Sequence, residues 1–524
     1  MGLYFNPGNE NFAEISKMEW YVDKTKMLTI TNSMIGTAEK YICMSRPRRF
    51  GKTVTGNMLA AYYSKGCDSA ELFSGLNIST LSGYRDFLNK YNVIYIDMNS
   101  EYQNTKDKEK LITGLNGKIC SEIATEYPEI TVENDNTLAE AILKVYSAKG
   151  DTFIVIIDEY DVLVREQVPE ALFEEFLSFL NGLFKSNTLR PAISLAYLTG
   201  ILPVVRDRIQ SKLNNFDEYT FLNAGRFTEY IGFTSDEVKE LCQNYSIDFE
   251  ECRSWYDGYF QNGCEIYNPE SVVKCIKDKY FDSYWGKTST YKVISDRLQQ
   301  NYKGLRDCVI RMLAGESIDV NVTSFLNTMD SFESRNDVFT YLIHLGYLAY
   351  DRETKTCRIP NREIRQEWHN AVENDEEYSV TNEIIEKSKE LLEETIKGNE
   401  SAVAAALDTS HIHVTSNRSY NNEDALQSAI YLSYIYALNK YTVVKEMTAG
   451  KGFADVVFIP FVQEYPAMII ELKRNKSSES AINQIKEKKY FDSLEHYKGN
   501  LIFVGINYDE DSKTHDCSIV RFEK

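Results

Sequence analysis

The chain has 524 residues, enough for two to four domains that each bury a core, and its 43% hydrophobic and 26% charged residues are ordinary for a soluble protein. No apolar run approaches the ~20 residues of a membrane span, which excludes a membrane partner, and a net charge of −20 argues against unspecific attraction of the whole molecule to nucleic acid. Ten cysteines without a Cys-x-x-Cys pair exclude a zinc ribbon or a disulfide framework and read as buried thiols in a reducing compartment.

The first residues, MGLYFNPGNENF, lack the basic flank and apolar core of a signal peptide, so the expected location is cytoplasmic. The stretch WYVDKTKML at 20–28 leads into a short helix and a first apolar strand at 41–44. SRPRRFGKT at 45–53 follows, and a helical pattern runs from 54 to 63. A strand that turns through Gly-Lys-Thr into a helix gathers backbone N–H groups, a helix N-terminus and an ammonium around one anion, as a nucleotide phosphate requires. In this variant P-loop, Lys52 would reach the β and γ phosphates of ATP, Thr53 would hold Mg²⁺, and Gly51 would let the backbone approach closely. Arg46 stands where the first glycine of the usual pattern belongs, and Pro47, Arg48, Arg49 and Phe50 complete the phosphate loop. Its guanidiniums add charge but crowd the turn, and a basic turn that closes a buried strand is the alternative.

VIYIDM at 93–98 is a second strand, and 108–127 reads as an amphipathic helix. FIVIIDEYD at 153–161 then delivers two carboxylates to the C-terminal edge of a parallel sheet, where open α/β sheets collect ligands. Asp158 would hold the Mg²⁺ water shell and Glu159 would polarise the attacking water, although an acidic pair can also cap a turn. Its place about a hundred residues after the loop, with one strand between, is the ordering of the additional-strand P-loop ATPases. A fourth strand, AISLAYLTG at 192–200, carries Thr199, where a polar group can sense the γ phosphate. YTFLN at 219–223 is expected as the fifth strand, and Arg206 and Arg208 are candidates for a charge-stabilising arginine.

YVDKT at 21–25, RPRRFGKT at 46–53, IDEYD at 157–161, YDGY at 256–259 and IYNPESV at 266–272 together resemble the bacterial AAA-ATPase-like family whose members carry a C-terminal PD-(D/E)xK nuclease-like domain. The family pattern itself has arginine at the position of Arg46. The resemblance covers most of the chain and implies nucleotide binding; a homo-oligomer stays open, since AAA-type ATPases commonly form rings, but no ring interface is legible.

From 226 to about 373 the pattern is mostly helical. TSDEVKELCQNY has an N-cap at Thr234 or Ser235 with acids in its first turn. DVFTYLIHLGYLAYDRETKTCRIPNREIRQEW reads as helix, hairpin and helix, the outline of a winged helix, whose mixed charges suit a lid or brace better than a basic DNA-reading wing. A glutamate-rich helix at 376–397 and GNESAVAAALDTS form a connector with an apolar stripe from Ile384, Ile385, Leu391, Leu392 and Ile396.

After residue 413 the order is helix (423–438), strand, turn, strand, strand, helix (478–496) and strand. Asp455 lies on the second strand; Glu471 and Lys473 lie two apart on the third and face the same way. The two carboxylates can converge on one Mg²⁺ or Mn²⁺, with the Leu472 carbonyl completing the shell, while Lys473 orients the attacking hydroxide and neutralises the scissile phosphate. The pattern is similar to PD-(D/E)xK nucleases, and the resemblance further implies that Glu423, or Asp424 in its stead, together with Gln484 and Tyr490, belongs to the site; solvent-facing strand charges are the alternative. This C-terminal part is nearly neutral, with 14 Lys and Arg against 15 Asp and Glu, and Lys473, Arg474, Lys476, Lys486, Lys488 and Lys489 form a basic cluster that could hold a nucleic-acid backbone.

The expected architecture is therefore α/β: a P-loop ATPase domain with a parallel sheet of the additional-strand type at 1–225, a helical and winged-helix-like lid at 226–375, a helical connector at 376–412 and a PD-(D/E)xK nuclease-like domain at 413–524. The leading expectation is an ATPase whose cycle controls a nuclease acting on DNA or RNA. The second is a nucleotide-dependent signalling or assembly switch whose last domain grips a partner or nucleic acid without cutting.

Overall fold

The computed structural model describes residues 2–133, 135–203, 213–285, 302, 304–323, 325, 332–373, 379–414, 423–449, 452–461, 464–491 and 499–522. The chain forms two compact units, Met1–Thr288 with Ile318–Ile364, and Ser289–Ser317 with Arg365–Lys524. Arg206 and Arg208 lie outside the described residues.

In the first unit five parallel strands stand in the order β2-β3-β4-β1-β5, where β1 is Tyr41–Ser45, β2 Asn92–Asp97, β3 Phe153–Asp158, β4 Ile193–Gly200 and β5 Asp217–Tyr219. The central strands are near-continuous apolar runs because both faces are covered. Side chains alternate across the sheet, so Ile94, Ile96, Val155 and Ile157 join one core with the helices α4 (Leu111–Glu126), α5 (Leu138–Lys149) and α6 (Glu170–Phe184). Tyr95 and Ile156 point the other way and meet Gly56 of α3 (Lys52–Tyr63). Two shorter helices, α1 (Glu10–Ser16) and α2 (Met27–Met34), precede β1. One strand, β4, separates the loop-bearing strand from the strand that ends in Asp158, as the additional-strand ordering requires.

The fifth strand is a correction. It occupies Asp217–Tyr219 rather than 219–223, and Thr220 and Asn223 instead exchange backbone hydrogen bonds of 2.9 and 3.1 Å that close a tight turn. This edge strand is only three residues long, with two of them exposed, so it carries no apolar signal.

The following helix α7 (Ser235–Tyr245) opens with a complete capping box, Glu237 accepting from the Thr234 N–H at 2.7 Å. The short strands β6 (Phe233–Thr234), β7 (Tyr259–Gln261) and β8 (Cys264–Tyr267) form an antiparallel sheet, and α8 (Pro269–Asp278) starts at Asn268, whose side chain accepts from the N–H groups of Glu270 and Ser271. Strand β9 is Ile318–Asp319. The expected helix, hairpin and helix are α9 (Arg335–Leu345), β10 (Ala349–Asp351) with β11 (Thr356–Arg358), and α10 (Arg362–Glu373), with β9 added to the hairpin edge.

The second unit is built on a mixed sheet in sequential order, β12 (Tyr441–Ala449), β13 (Gly452–Pro460), β14 (Ala467–Arg474), β15 (Leu501–Asp509) and β16 (Thr514–Phe522). Only the β14–β15 pair is parallel, which the intervening helix α14 (Ser478–Lys488) permits; α11 to α13 are Ser379–Lys397, Glu400–Val414 and Glu423–Ser433. Helices α11 and α12 are anchored to this unit: Thr395 bonds the Tyr434 hydroxyl at 2.7 Å, and Glu400 accepts from the Ile519 N–H at 2.8 Å. The helix expected over 478–496 ends at Lys488, where Lys489 takes a left-handed C-cap conformation with φ of 52°. Strand β16 was not anticipated; it closes the sheet edge beside β15.

Candidate functional site

The first candidate site sits at the C-terminal ends of the parallel strands. Asp97, Asp158, Thr199 and Met44 are register neighbours across β2, β3, β4 and β1, so Asp158 and Thr199 reach the level at which the chain leaves β1 for the loop. Helix α3 begins at Lys52 behind Gly51, which has φ of 87°. A Cβ there would touch nothing, so the demand for glycine is conformational rather than steric. Arg49 has φ of 69° and Glu159 φ of 52°, left-handed conformations that carry side chains adopt at a cost of about 1 kcal/mol.

The Lys52 ammonium is buried and donates to the carbonyls of Arg46 and Pro47 at 3.0 and 2.8 Å. Burial lowers its pKa to about 8, opposed by the carboxylates of Glu159, Asp158 and Asp161. Asp158 is buried and pushed up to about 6 by desolvation, while a hydrogen bond from the exposed Thr53 hydroxyl and the charge of Lys52 pull it down. Thr53 and Asp158 therefore touch, and their hydroxyl and carboxylate are hard oxygen donors that fit Mg²⁺. Glu159 pairs with Arg165, which also reaches Asp161 at 3.2 Å; Asp161 in turn accepts from the N–H groups of Ile201 and Leu202 and ties the end of β3 to that of β4.

Arg48 to Thr53 and Glu159 line one cavity of about 640 Å³, within the size range of small-ligand sites. Its apolar wall comes from Phe12, Ile15, Met18, Trp20, Tyr21 and Val22, and α8 contributes Pro269, Glu270, Val273, Lys274 and Lys277. Arg46, Pro47, Asp158 and Thr199 are buried and are not part of this lining. Arg46 is fully buried, bonds the carbonyls of Ser45 and Tyr219 at 2.8 and 3.0 Å and so rivets β1 to β5; burial lowers its pKa to about 10. Phe50 is buried edge-on against Phe221 and Tyr259. Thr199 is fully buried at the end of β4. Sequence reasoning had left the apolar wall and Arg165 unassigned. The motifs at 21–25 and 266–272 were the available signal, since Tyr21, Val22, Lys24, Pro269 and Glu270 all face the cavity.

The second candidate site lies on β13, β14 and α14. Strands β13 and β14 pair antiparallel up to Val456 and Ile470, which places the next residues, Asp455 and Glu471, beside each other. Asp455 Oδ2 accepts the Leu472 N–H at 2.7 Å, and Gln427 from α13 holds the Asp455 carbonyl at 2.9 Å. Lys473 donates to Glu471 Oε1 at 2.9 Å, Gln484 donates to the same oxygen, and the amide of Gln484 also reaches the Tyr490 hydroxyl at 3.0 Å. The other oxygen, Glu471 Oε2, is buried and has no hydrogen-bond partner among the described residues.

Desolvation, reinforced by the nearby Asp455 charge, raises the Glu471 pKa to about 7. A buried carboxylate oxygen without a donor, next to a second carboxylate, is a donor set that fits a hard divalent cation. Among the described residues, however, no three His, Cys, Asp or Glu side chains form a metal-binding group. The side chains of Glu423 and Asp424 lie outside the described residues. Of the basic cluster, Arg474 pairs with Glu510, whereas Lys476, Lys486, Lys488 and Lys489 are exposed.

No helix among the described residues is long and apolar enough to cross a membrane. Residues 7–210 match the family model described as AAA-ATPase-like, a predicted AAA-ATPase, and residues 421–517 match that of the PD-(D/E)XK nuclease superfamily. A protein of Azotobacter chroococcum mcd 1, described as an uncharacterized protein in the vnfD 5′ region, is 22% identical over 97% of this chain and 96% of its own. Similar solved structures include the Aeropyrum pernix ORC2 protein in ADPNP–ADP complexes, at 12% identity with a TM-score of 0.32 over 69% of this chain and 92% of that one. The Aeropyrum pernix ORC1 protein in complex with DNA matches at 10% identity and a TM-score of 0.24 over 94% and 99%. At such scores the fold is read from the strand order itself.

Proposed function

From an AAA-ATPase-like domain at residues 7–210 and a PD-(D/E)XK nuclease superfamily domain at residues 421–517 on one chain, we propose an ATP-hydrolysing protein whose nucleotide cycle governs metal-dependent cleavage of DNA or RNA phosphodiesters. The observation that carries the cutting half is the meeting of Asp455, Glu471, Lys473 and Gln484, with one buried Glu471 oxygen lacking a donor. Residues 1–225 do the nucleotide work, 226–375 act as a lid that reports nucleotide state, 376–412 connect, and 413–524 cut. The composition supports a cytoplasmic protein.

At the nucleotide site, Lys52 binds the β and γ phosphates, Arg48 adds a cation at the cavity wall, and Glu159 orients the attacking water once Arg165 releases it. Thr53 and Asp158 hold Mg²⁺, which screens phosphate charge when bound. At the second site Asp455 and Glu471 would hold Mg²⁺ or Mn²⁺, which would supply Lewis acidity there. Gln484 and Lys473 fix one Glu471 oxygen and leave the other without a donor. Lys473 neutralises the scissile phosphate, and Lys476, Lys486, Lys488 and Lys489 contact the nucleic-acid backbone.

Incubation of single- and double-stranded DNA and RNA with divalent metal tests this reading. Wild-type protein should cut at least one substrate, and Asp455→Ala and Lys473→Ala should not. A second reading starts from the same contacts, in which Lys473 and Gln484 already satisfy one Glu471 oxygen. In that reading the C-terminal domain grips nucleic acid or a partner as a nucleotide-dependent switch, and a wild-type protein inert on every substrate would select it.

A further inference from the structure

Arg49 is a P-loop residue whose side chain leaves the loop. Its guanidinium Nη1 donates to the carbonyls of Tyr284 and Trp285 at 2.5 and 3.0 Å, and its Nε lies 3.3 Å from Glu270 at the start of α8. The same two residues, Tyr284 and Trp285, donate their backbone N–H groups at 2.8 and 2.9 Å to a single oxygen, Oε1 of Glu363, which also accepts the Ser271 hydroxyl at 2.9 Å. Glu363 is buried, with 1% of its surface exposed. A peptide that donates to a carboxylate on one side and accepts from a guanidinium on the other is polarised in the same sense by both, so each bond strengthens its neighbour.

The chain around this relay leaves the loop little freedom. Gly346, at φ of 86°, has no room for a side chain: a Cβ would stand 2.9 Å from Pro47 and from the Trp285 ring. The Tyr259 hydroxyl bonds the Gly346 carbonyl at 2.5 Å while its ring packs on Phe50. Pro47, Arg49 and Phe50 are therefore all seated on residues 259–363, and the left-handed backbone of Arg49 is held by that seating. Carboxylate, peptide, guanidinium and phosphate loop form a continuous chain of contacts.

We propose that Glu363 is a positioning residue for the nucleotide site: through the Tyr284–Trp285 backbone it fixes Arg49, and through Arg49 it holds the P-loop in the conformation that receives the phosphates. This rests on the reading of residues 46–53 as an ATP site. Glu363 touches no phosphate in this scheme. Its contribution to binding passes wholly through Arg49.

A double-mutant cycle on ATP affinity, measured by calorimetry on the full chain, tests the relay. Glu363→Gln and Arg49→Ala should each weaken ATP binding, on the order of tenfold, and the double variant should be no weaker than Arg49→Ala alone. A residue that merely stabilised the fold would lower the melting temperature yet leave ATP affinity unchanged, or would weaken it independently of Arg49. Fold losses that multiply in the double variant, or an unchanged affinity in Glu363→Gln, would overturn the proposal. If Glu363→Gln does not fold, Glu363→Asp in both Arg49 backgrounds supplies the same cycle, because the shorter arm withdraws the acceptor while keeping its charge. Wild-type binding that disappears in Lys52→Ala secures the ATP site independently, so independent effects in the cycle sink the relay alone, whereas a wild type that binds no ATP sinks both.

Discussion

Lys52 in the P-loop and Glu471 on β14 are both buried, and burial moves them in opposite directions: the ammonium falls to about 8 and the carboxyl rises to about 7. Each has been taken from water without full neutralisation by its neighbours, and each holds its charge less readily than it would in water until an oppositely charged ligand arrives. The P-loop site holds Lys52 over backbone carbonyls, an arrangement that suits an anion; the β13–β14 site sets two carboxylates side by side, an arrangement that suits a cation. The lesson is that a binding site can be recognised by a charge the fold leaves under-compensated, and that its sign names the ligand class. The two sites also differ in how they are held. The loop leans on a polar relay and buried aromatics of later chain segments, whereas the carboxylates are fixed by strand register, the Leu472 N–H, Lys473 and Gln484.

The contrast is sharpest if the two sites fail separately. Lys52→Ala should lower ATP affinity by at least about a hundredfold, since a buried phosphate-binding cation is lost, while leaving the C-terminal site intact. Asp455→Ala and Lys473→Ala should lower cleavage by about a thousandfold with ATP affinity unchanged. Cleavage rates and ATP calorimetry on the same preparations check both. Next in size, Glu159→Gln should keep ATP affinity within a few fold and slow turnover by about a hundredfold to a thousandfold, read as phosphate release.

A pH titration sharpens the contrast. Above a pH of about 8 the Lys52 amine is uncharged in the empty pocket, and a bound triphosphate draws its proton back. ATP affinity should fall as pH rises through that value, by up to about tenfold per unit, with proton uptake seen as a dependence of binding heat on the buffer. The smallest effect concerns stability. A carboxyl raised to about 7 contributes stability that is full below its ordinary value of 4.5 and lost as pH rises through 7. In chelator at pH 8, Glu471→Gln should therefore be more stable than wild type by about 1–3 kcal/mol, an advantage that vanishes near pH 4. Added Mn²⁺ should raise the melting temperature of wild type and not that of the variant.

Much of this was legible because buried parallel strands are written as unbroken apolar runs. VIYIDM, FIVIID and ISLAYLTG identified β2, β3 and β4, and TSDEVKELCQNY, with an N-cap at Thr234 or Ser235 and acids in its first turn, announced α7, which is capped by Thr234. That Glu471 and Lys473 face the same way followed from strand alternation, and Lys473 donates to Glu471 at 2.9 Å. Strand β5 was misplaced because a three-residue edge strand needs no apolar face, and β16 was missed because THDCSIVRF alternates too weakly to stand out. Arg46 and Arg49 looked like phosphate ligands, yet burial and carbonyl partners are properties of distant segments that loop composition cannot encode. The apolar wall was out of reach for the same reason: Phe12, Trp20 and Val273 meet only in three dimensions.

Control of the C-terminal site by nucleotide at the P-loop site can be measured directly. Cleavage of a responsive nucleic acid should be timed with Mn²⁺, with and without ATP, in wild type and in Lys52→Ala. ATP should change the wild-type rate and leave the Lys52→Ala rate where it was. Identical wild-type rates with and without ATP, while ATP is bound, would contradict it.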